Sequence, residues 1–347
     1  MTEPPVLEVS HLSVEYPLDR LRGGGVTRAV DDVSLTVARG EFLGIVGESG
    51  CGKSTLLFAI AQLLAPPARV AAGTVQFNGA NLVGLTDREL SVIRWRQLSV
   101  VMQSAMNALN PVKSIGAQFK DAMQAHGTKN KEEIQARSAE VLRMVGIDPV
   151  HLRSYPHQLS GGMRQRSMIA MAMLFTPELV IMDEPTSALD VVAQRSLMLQ
   201  IKELQDQYGF AVIFVTHDMS LISHFSDRLM VMYAGQVSEL GTTRTVFDEP
   251  RHPYTQGLLE AFPSIRGPRV ALQGIPGSPP NLAQIPSGCR FHPRCPRRMD
   301  RCSEQEPELY EVGGSLVRCL LYDDETKRVP STAAAPRRRT EAQHEHD

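Results

Sequence analysis

Gly47-Glu-Ser-Gly-Cys-Gly-Lys-Ser-Thr55 decides the fold of this 347-residue chain. The stretch fits G-x-x-x-x-G-K-[ST], a spacing in which glycines let the backbone wrap phosphate oxygens with successive N–H groups pointing inward. Its flanks agree with that reading. Glu41–Val46 has the length and apolar character of a buried strand, and Ser54–Leu64 reads as a helix. The N-terminus of that helix adds unpaired donors and a favourable dipole. Gly47, Ser49, Gly50, Cys51, Gly52 and Thr55 then form the wall of a phosphate site, with Cys51 at a variable position and given no metal role. Lys53 is expected to contact β- and γ-phosphates, and Ser54 to offer its hydroxyl to Mg²⁺.

Downstream, Leu179-Val-Ile-Met-Asp-Glu184 supplies four apolar residues followed by two carboxylates. A buried strand delivers such acids at its C-terminal end, where α/β sheets place ligands. Asp183 is expected to hold Mg²⁺ through water, and Glu184 to orient or deprotonate the attacking water. Ala211–Val215 and Leu229–Tyr233 repeat the short apolar run, with Leu197–Gln207 as an intervening helix. Val6–Val14 and Val33–Val37 alternate as further strands, separated by a loop that includes Arg20–Gly25. Residues 86–162 read as mostly helical, with Lys131–Val145 clearly amphipathic. Strands alternating with helices predict a mostly parallel sheet carrying a helical insertion.

Composition bounds the remaining options. Apolar residues make up 42% and charged residues 21%, enough for a sizeable core. The formal net charge of −2 supplies no general drive toward nucleic acid or anionic lipid. The apolar stretch Met168–Phe175 is far shorter than the roughly 18 residues a membrane span needs. Met1-Thr-Glu-Pro-Pro5 lacks the basic and apolar regions of a signal peptide, so the chain is expected in the cytosol, with any membrane role exerted through partner chains.

Leu159-Ser-Gly-Gly-Met-Arg-Gln-Arg166 opens a helix with small residues and exposed N–H groups, a second anion-binding geometry that one phosphate loop does not need. With this segment the chain resembles the ATP-binding cassette (ABC) ATPases, whose signature reads LSGGQ or LSGGM. Gln103 matches the family's Q-loop, Ser187-Ala-Leu-Asp190 its D-loop, His217 in Val215-Thr-His-Asp218 its switch histidine, and Tyr16 the aromatic residue that stacks on adenine. The resemblance covers roughly 6–241. It implies an α/β fold: a P-loop ABC ATPase core with a mostly parallel sheet, an antiparallel β subdomain and a helical signature subdomain. It also implies a head-to-tail dimer, with ATP between the phosphate loop of one subunit and Ser160-Gly161-Gly162 of the other. Gln103, Glu184 and His217 are then the catalytic set, Gln103 joins Ser54 on Mg²⁺, and Asp190 lies at the nucleotide interface.

His252-Pro-Tyr-Thr-Gln-Gly-Leu-Leu259, Ile275-Pro-Gly-Ser-Pro-Pro-Asn281 and Gly288-Cys-Arg-Phe-His-Pro-Arg-Cys-Pro296 resemble the C-terminal extension of oligopeptide/dipeptide importer ATPases. Proline becomes frequent after about Thr243, and with that likeness the chain divides into a nucleotide-binding domain over 1–243 (helical subdomain about 86–165), an extension over 244–325 with little regular structure, and a tail over 326–347 whose composition reads as disordered. Importers of this type pair two related ATPase chains with two permease subunits and an extracytoplasmic substrate-binding protein, which places this chain peripherally on the cytoplasmic membrane face and calls for no nucleic acid. Ser104-Ala-Met-Asn107 departs from the family's Asp-Pro-Met-Thr beside the expected permease contact, and family relatives also carry oligosaccharides or nickel. A soluble ABC ATPase acting on DNA or ribosomes is a different class, one whose coiled coils, tandem cassettes and basic surfaces are lacking here. A regulator that binds ATP without hydrolysis is a third, against which Glu184 and His217 argue.

Four of the five cysteines cluster as Cys289-x5-Cys295-x6-Cys302-x16-Cys319. Four thiolates in a reducing compartment suit tetrahedral zinc or an iron–sulfur cluster better than disulfides, although reduced buried cysteines fit the spacing too. The importer resemblance favours a structural [4Fe–4S] cluster, with zinc as the alternative.

Overall fold

Apolar runs too short for helices assemble the centre of the molecule. In the computed structural model, which describes residues 3–18, 24–103, 108–187, 189–261 and 274–324, they form an eight-stranded sheet. Its spatial order is Tyr310–Val312, Ser315–Val317, Gln236–Thr242, Arg228–Tyr233, Phe42–Val46, Ala211–Val215, Leu179–Asp183 and Leu98–Val101. The five strands from Arg228–Tyr233 to Leu98–Val101 run parallel, and the other three add antiparallel pairings at one edge.

Side chains alternate across a strand, so each central strand feeds two layers. Phe42, Val46, Val212 and Phe214 enter one core with the helices Ile115–Ala125, Lys131–Met144, Gly161–Ala172 and Val191–Tyr208. Leu43, Ile45, Ile213 and Val215 enter the other, with helix Lys53–Ile60 and a four-stranded antiparallel sheet ordered Val26–Val37, Leu7–Pro17, Arg69–Phe77, Ala80–Asn81. Burial on both faces explains why Phe42–Val46, Leu179–Asp183 and Ala211–Val215 read as continuous apolar runs rather than alternating ones.

The architecture matches the α/β expectation, with three differences of detail. Leu98–Val101 lies within the stretch expected to be mostly helical, yet pairs in parallel with Leu179–Asp183. Four residues carry too little period to separate a buried strand from a helix turn. Arg69–Phe77 gave no strand signal because only Val75 and Phe77 are buried and its pairing with Leu7–Pro17 is broken by register shifts. The C-terminal stretch, expected to have little regular structure, returns to the main sheet. There Glu239 and Leu240 pair with Val317 and Leu316, and Gly313-Gly314 closes the hairpin. Proline-rich composition upstream masked that hairpin. The 326–347 tail, Ser104–Asn107 and Ala188 of the D-loop stretch lie outside the described residues. Among the described residues no helix is long and apolar enough to cross a membrane.

Candidate nucleotide site

The loop begins where the buried strand Phe42–Val46 ends. A Cβ on Gly47 would stand 2.3 Å from Met232 O, and one on Gly52 would stand 2.2 Å from Ala29 O. Both glycines are therefore demanded by neighbouring backbone as well as by any ligand. Inside the curve, Lys53 Nζ donates to Gly47 O at 2.7 Å and Glu48 O at 3.0 Å. Its third donor points at Cys51 Sγ at 3.7 Å, a weak acceptor that a phosphate oxygen can displace. No side chain caps helix Lys53–Ile60, which leaves its first N–H groups to an anion. Cys51 is buried behind the loop, Ser49 and Gly50 are exposed on it, and Tyr16 places its hydroxyl 3.3 Å from Thr55 Oγ1.

Asp183 ends its strand opposite Val215, and Glu184 N donates to Val215 O at 2.9 Å. Glu184 holds a left-handed φ of 45°, a conformation a non-glycine residue adopts at a cost, and this turn aims its carboxylate. Gln103 Nε2 donates to Glu184 Oε2 at 2.8 Å, and His217 Nδ1 stands 3.6 Å from Glu184 Oε1. The three residues expected to act together therefore converge. Burial raises the Asp183 carboxyl above its ordinary range; the bonded Ser54 hydroxyl and Lys53 oppose that, while Glu184 adds to it. Asp183 Oδ1 is buried with no hydrogen-bond partner. An orphaned carboxylate oxygen beside a serine hydroxyl fits a hard divalent cation such as Mg²⁺.

Other expected residues lie in a separate place. Ser160 Oγ accepts from Met163 N at 3.2 Å and so caps helix Gly161–Ala172, where Gly161 and Gly162 form the first turn. Ser160 and Gly162 border a cleft shared with Arg166, Leu189 and Ala193, and no residue of the 47–55 loop lines it. Asp190 caps helix Val191–Tyr208, accepting from Ala193 N at 2.8 Å.

Three participants escaped sequence reasoning. Arg294 binds the Glu48 carboxylate through two bonds of 2.6 and 2.9 Å, and Glu48 N donates to Tyr254 OH at 2.9 Å. Partners more than 200 positions apart leave no local signal; only the His252–Leu259 and Gly288–Pro296 motifs pointed at the right segments.

Cys289, Cys295, Cys302 and Cys319 are all free thiols, and Cys289 N donates to Cys302 O at 2.9 Å. Burial pushes the Cys319 thiol up to about 12, and the charges of Cys289, Cys295 and Cys302 push the same way. Burial likewise takes Cys289 up to about 11. One backbone bond thus joins Cys289 to Cys302, and the chemistry of the four as a donor set suits a four-thiolate group. Among the described residues, however, no three His, Cys, Asp or Glu side chains are disposed to hold a metal ion. The expected cluster has donors in one neighbourhood but no preformed ligand cage.

A parallel sheet with a phosphate loop, an Asp–Glu pair at the adjoining strand end and a remote glycine-led helix define an ATPase of the ATP-binding cassette class. Residues 30–187 match the ABC transporter family, and residues 238–302 match the family described as oligopeptide/dipeptide transporter, C-terminal region. The oligopeptide transport ATP-binding protein of Salmonella typhimurium is 42% identical over 317 residues, spanning 91% of this chain and 93% of that protein. The dipeptide transport ATP-binding protein of Caldanaerobacter subterraneus is 40% identical over 303 residues, spanning 86% and 93%. A dimeric post-hydrolysis ATP-binding cassette bound to ADP and Pi superposes with a TM-score of 0.61 at 29% identity, covering 69% of this chain and 99% of that one. The chain belongs to the ABC transporter family, in its oligopeptide/dipeptide transporter ATP-binding branch.

Proposed function

We propose that this ATPase powers uptake of oligopeptides or dipeptides through partner permeases. The observation that carries the hydrolytic half is the convergence of Gln103 and His217 on Glu184 beside Asp183. The peptide half rests on the extension over 238–302 and on the transport named for the relatives.

In this reading Gly47–Thr55 wraps the phosphates, Lys53 exchanges its weak Cys51 contact for the β- and γ-oxygens, and Tyr16 lies under the base. Ser54, Asp183 and Gln103 would hold Mg²⁺, which when bound neutralises charge on the β- and γ-phosphates. Glu184 orients the attacking water and accepts its proton, and His217 stands on the other side of that carboxylate. Ser160, Gly161 and Gly162 serve the phosphates of a partner's nucleotide. An added Cβ on Gly162 would meet nothing within 4 Å, so this chain's own packing does not call for glycine there. That observation supports a second, related ATPase chain closing over the loop, with Asp190 and the D-loop between the two.

Two permeases in the membrane and an external binding protein complete the assembly, and the chain works at the cytoplasmic face. A nucleotide-binding domain over 1–243, with its helical subdomain near 86–165, and an extension over 244–325 are the functional units. Cys289, Cys295, Cys302 and Cys319 would hold a [4Fe–4S] cluster, or zinc, which when bound cross-links a segment poor in core of its own.

Reconstitution of the intact transporter in vesicles tests the proposal. ATP turnover should rise when the binding protein is loaded with peptide, and labelled peptide should accumulate. Turnover that responds to nickel or an oligosaccharide instead would overturn the peptide assignment and leave the ATPase standing.

A further inference from the structure

We infer that Arg294 and Tyr254 of the C-terminal stretch are positioning residues for the phosphate loop, acting on nucleotide affinity through Glu48. The inference rests on the loop being the ATP site. Glu48 follows the first glycine of the loop, and every polar group it carries is engaged. Its N–H donates to Tyr254 OH, its carboxylate receives Arg294 twice, and its carbonyl receives Lys53 Nζ. The N–H and side chain are thus tied to the extension while the carbonyl faces the lysine that must meet phosphate. A shift of Glu48 is a shift of Lys53.

Arg294 is built for this task. Its side chain is 6% exposed, and five bonds occupy its guanidinium: Pro276 O, Gly277 O, Tyr233 OH and both Glu48 oxygens. Five donors in a fixed planar fork leave the group a single orientation. Arg290, on the other side of the same short turn, donates to Ala234 O at 2.6 Å and pairs with Asp31. The next residue, Gly235, donates its N–H to Cys51 O at 2.9 Å. The extension therefore grips the loop's surroundings at two points.

Charge supplies the second half of the argument. A carboxylate in a loop that receives a triphosphate repels its own ligand unless a cation cancels it. Arg294 is that cation, and a bidentate guanidinium–carboxylate pair is the strongest arrangement for the purpose. Without Arg294, Glu48 keeps its charge and loses its anchor, so both effects weaken ATP binding. If the extension merely contributed bulk stability, removing the Glu48 charge would have no power to restore binding.

Titration of the full-length chain with a fluorescent ATP analogue reads this directly, with Lys53→Ala as the non-binding control. Arg294→Ala is expected to weaken binding about tenfold, and Arg294→Lys to fall between it and wild type. Glu48→Gln alone should cost about threefold, and the pair Arg294→Ala with Glu48→Gln should return close to that smaller loss. Additive losses, or wild-type affinity in Arg294→Ala, would overturn the positioning role. Should Arg294→Ala fail to fold, Tyr254→Phe and Glu48→Gln delete little volume, and unchanged affinity in both is equally decisive against it. A wild-type chain that does not bind the analogue would remove the ATP-site reading instead, and this inference with it.

Discussion

Gln103 Nε2 donates to Glu184 Oε2 at 2.8 Å, although the two residues come from different segments 81 positions apart. Gln103 follows the edge strand Leu98–Val101, and Glu184 follows the next strand in, Leu179–Asp183. Parallel pairing sends both chains out of the sheet at the same end, so one amide can orient one carboxylate. Movement of the Gln103 segment thereby reaches Glu184 through a single bond, which is the connection a transport-coupled ATPase needs.

Glu184→Gln should therefore lower turnover at least a hundredfold while nucleotide remains bound. Gln103→Ala removes an orienting donor and not the base, so a drop nearer tenfold is expected. Phosphate release by the assembled transporter measures both. Wild-type turnover in Glu184→Gln would remove this residue from its assigned role.

Asp183 offers a contrast between stability and activity. Burial holds its carboxyl above the ordinary range, so the folded chain disfavours the ionised form of this group. A raised carboxyl pKa means stability declines as pH rises through it, and neutral asparagine escapes that cost. Asp183→Asn should thus melt a few degrees higher than wild type while its Mg²⁺ requirement rises tenfold or more. Differential scanning fluorimetry and a Mg²⁺ titration of ATP turnover separate the two effects.

How much of this was legible beforehand depends on sequence distance. The phosphate loop and the Leu179–Glu184 strand are contiguous, so residue order displays the chemistry and the apolar run displays the burial. Gln103 and His217 carry no local signal; they were recoverable only because the family places them in a known order. Glu48 was not among the residues expected at the site, since its partners stand 206 and 246 positions away. The hairpin ending at Val317 was hidden because three-residue strands have too little period to register against a proline-rich background. Long-range pairing, rather than residue type, is what sequence order conceals.

The cysteines permit a chemical test. Anaerobically purified chain holding a [4Fe–4S] cluster should absorb broadly near 400 nm, and Cys302→Ser should bleach it. Stoichiometric zinc in a colourless sample would replace iron–sulfur with zinc. A metal-free, colourless sample with these four thiols free after unfolding would leave them as reduced cysteines.

His252 makes the fold's pH dependence specific. Its ring is buried and its Nδ1 accepts from Tyr254 N at 3.0 Å, capping helix Pro253–Glu260. Burial lowers its pKa from 6.5 to about 4, so the folded chain keeps it neutral where the unfolded chain binds a proton. The stability this gives is complete above about pH 6.5 and is lost progressively as pH falls toward 4. At pH 5 the loss amounts to about 2 kcal/mol. Glu239, whose carboxylate accepts from His252 N at 2.9 Å, is raised by burial and works in the opposite direction as it protonates. Wild type must therefore be compared with a variant that keeps the cap and Glu239 but cannot titrate at position 252. His252→Asn meets that condition, since asparagine is a good N-cap acceptor. It should be the less stable protein at pH 7 yet lose less stability than wild type between pH 7 and pH 5, as followed by urea unfolding. Parallel pH profiles for the two proteins would mean that His252 is not held neutral by the fold.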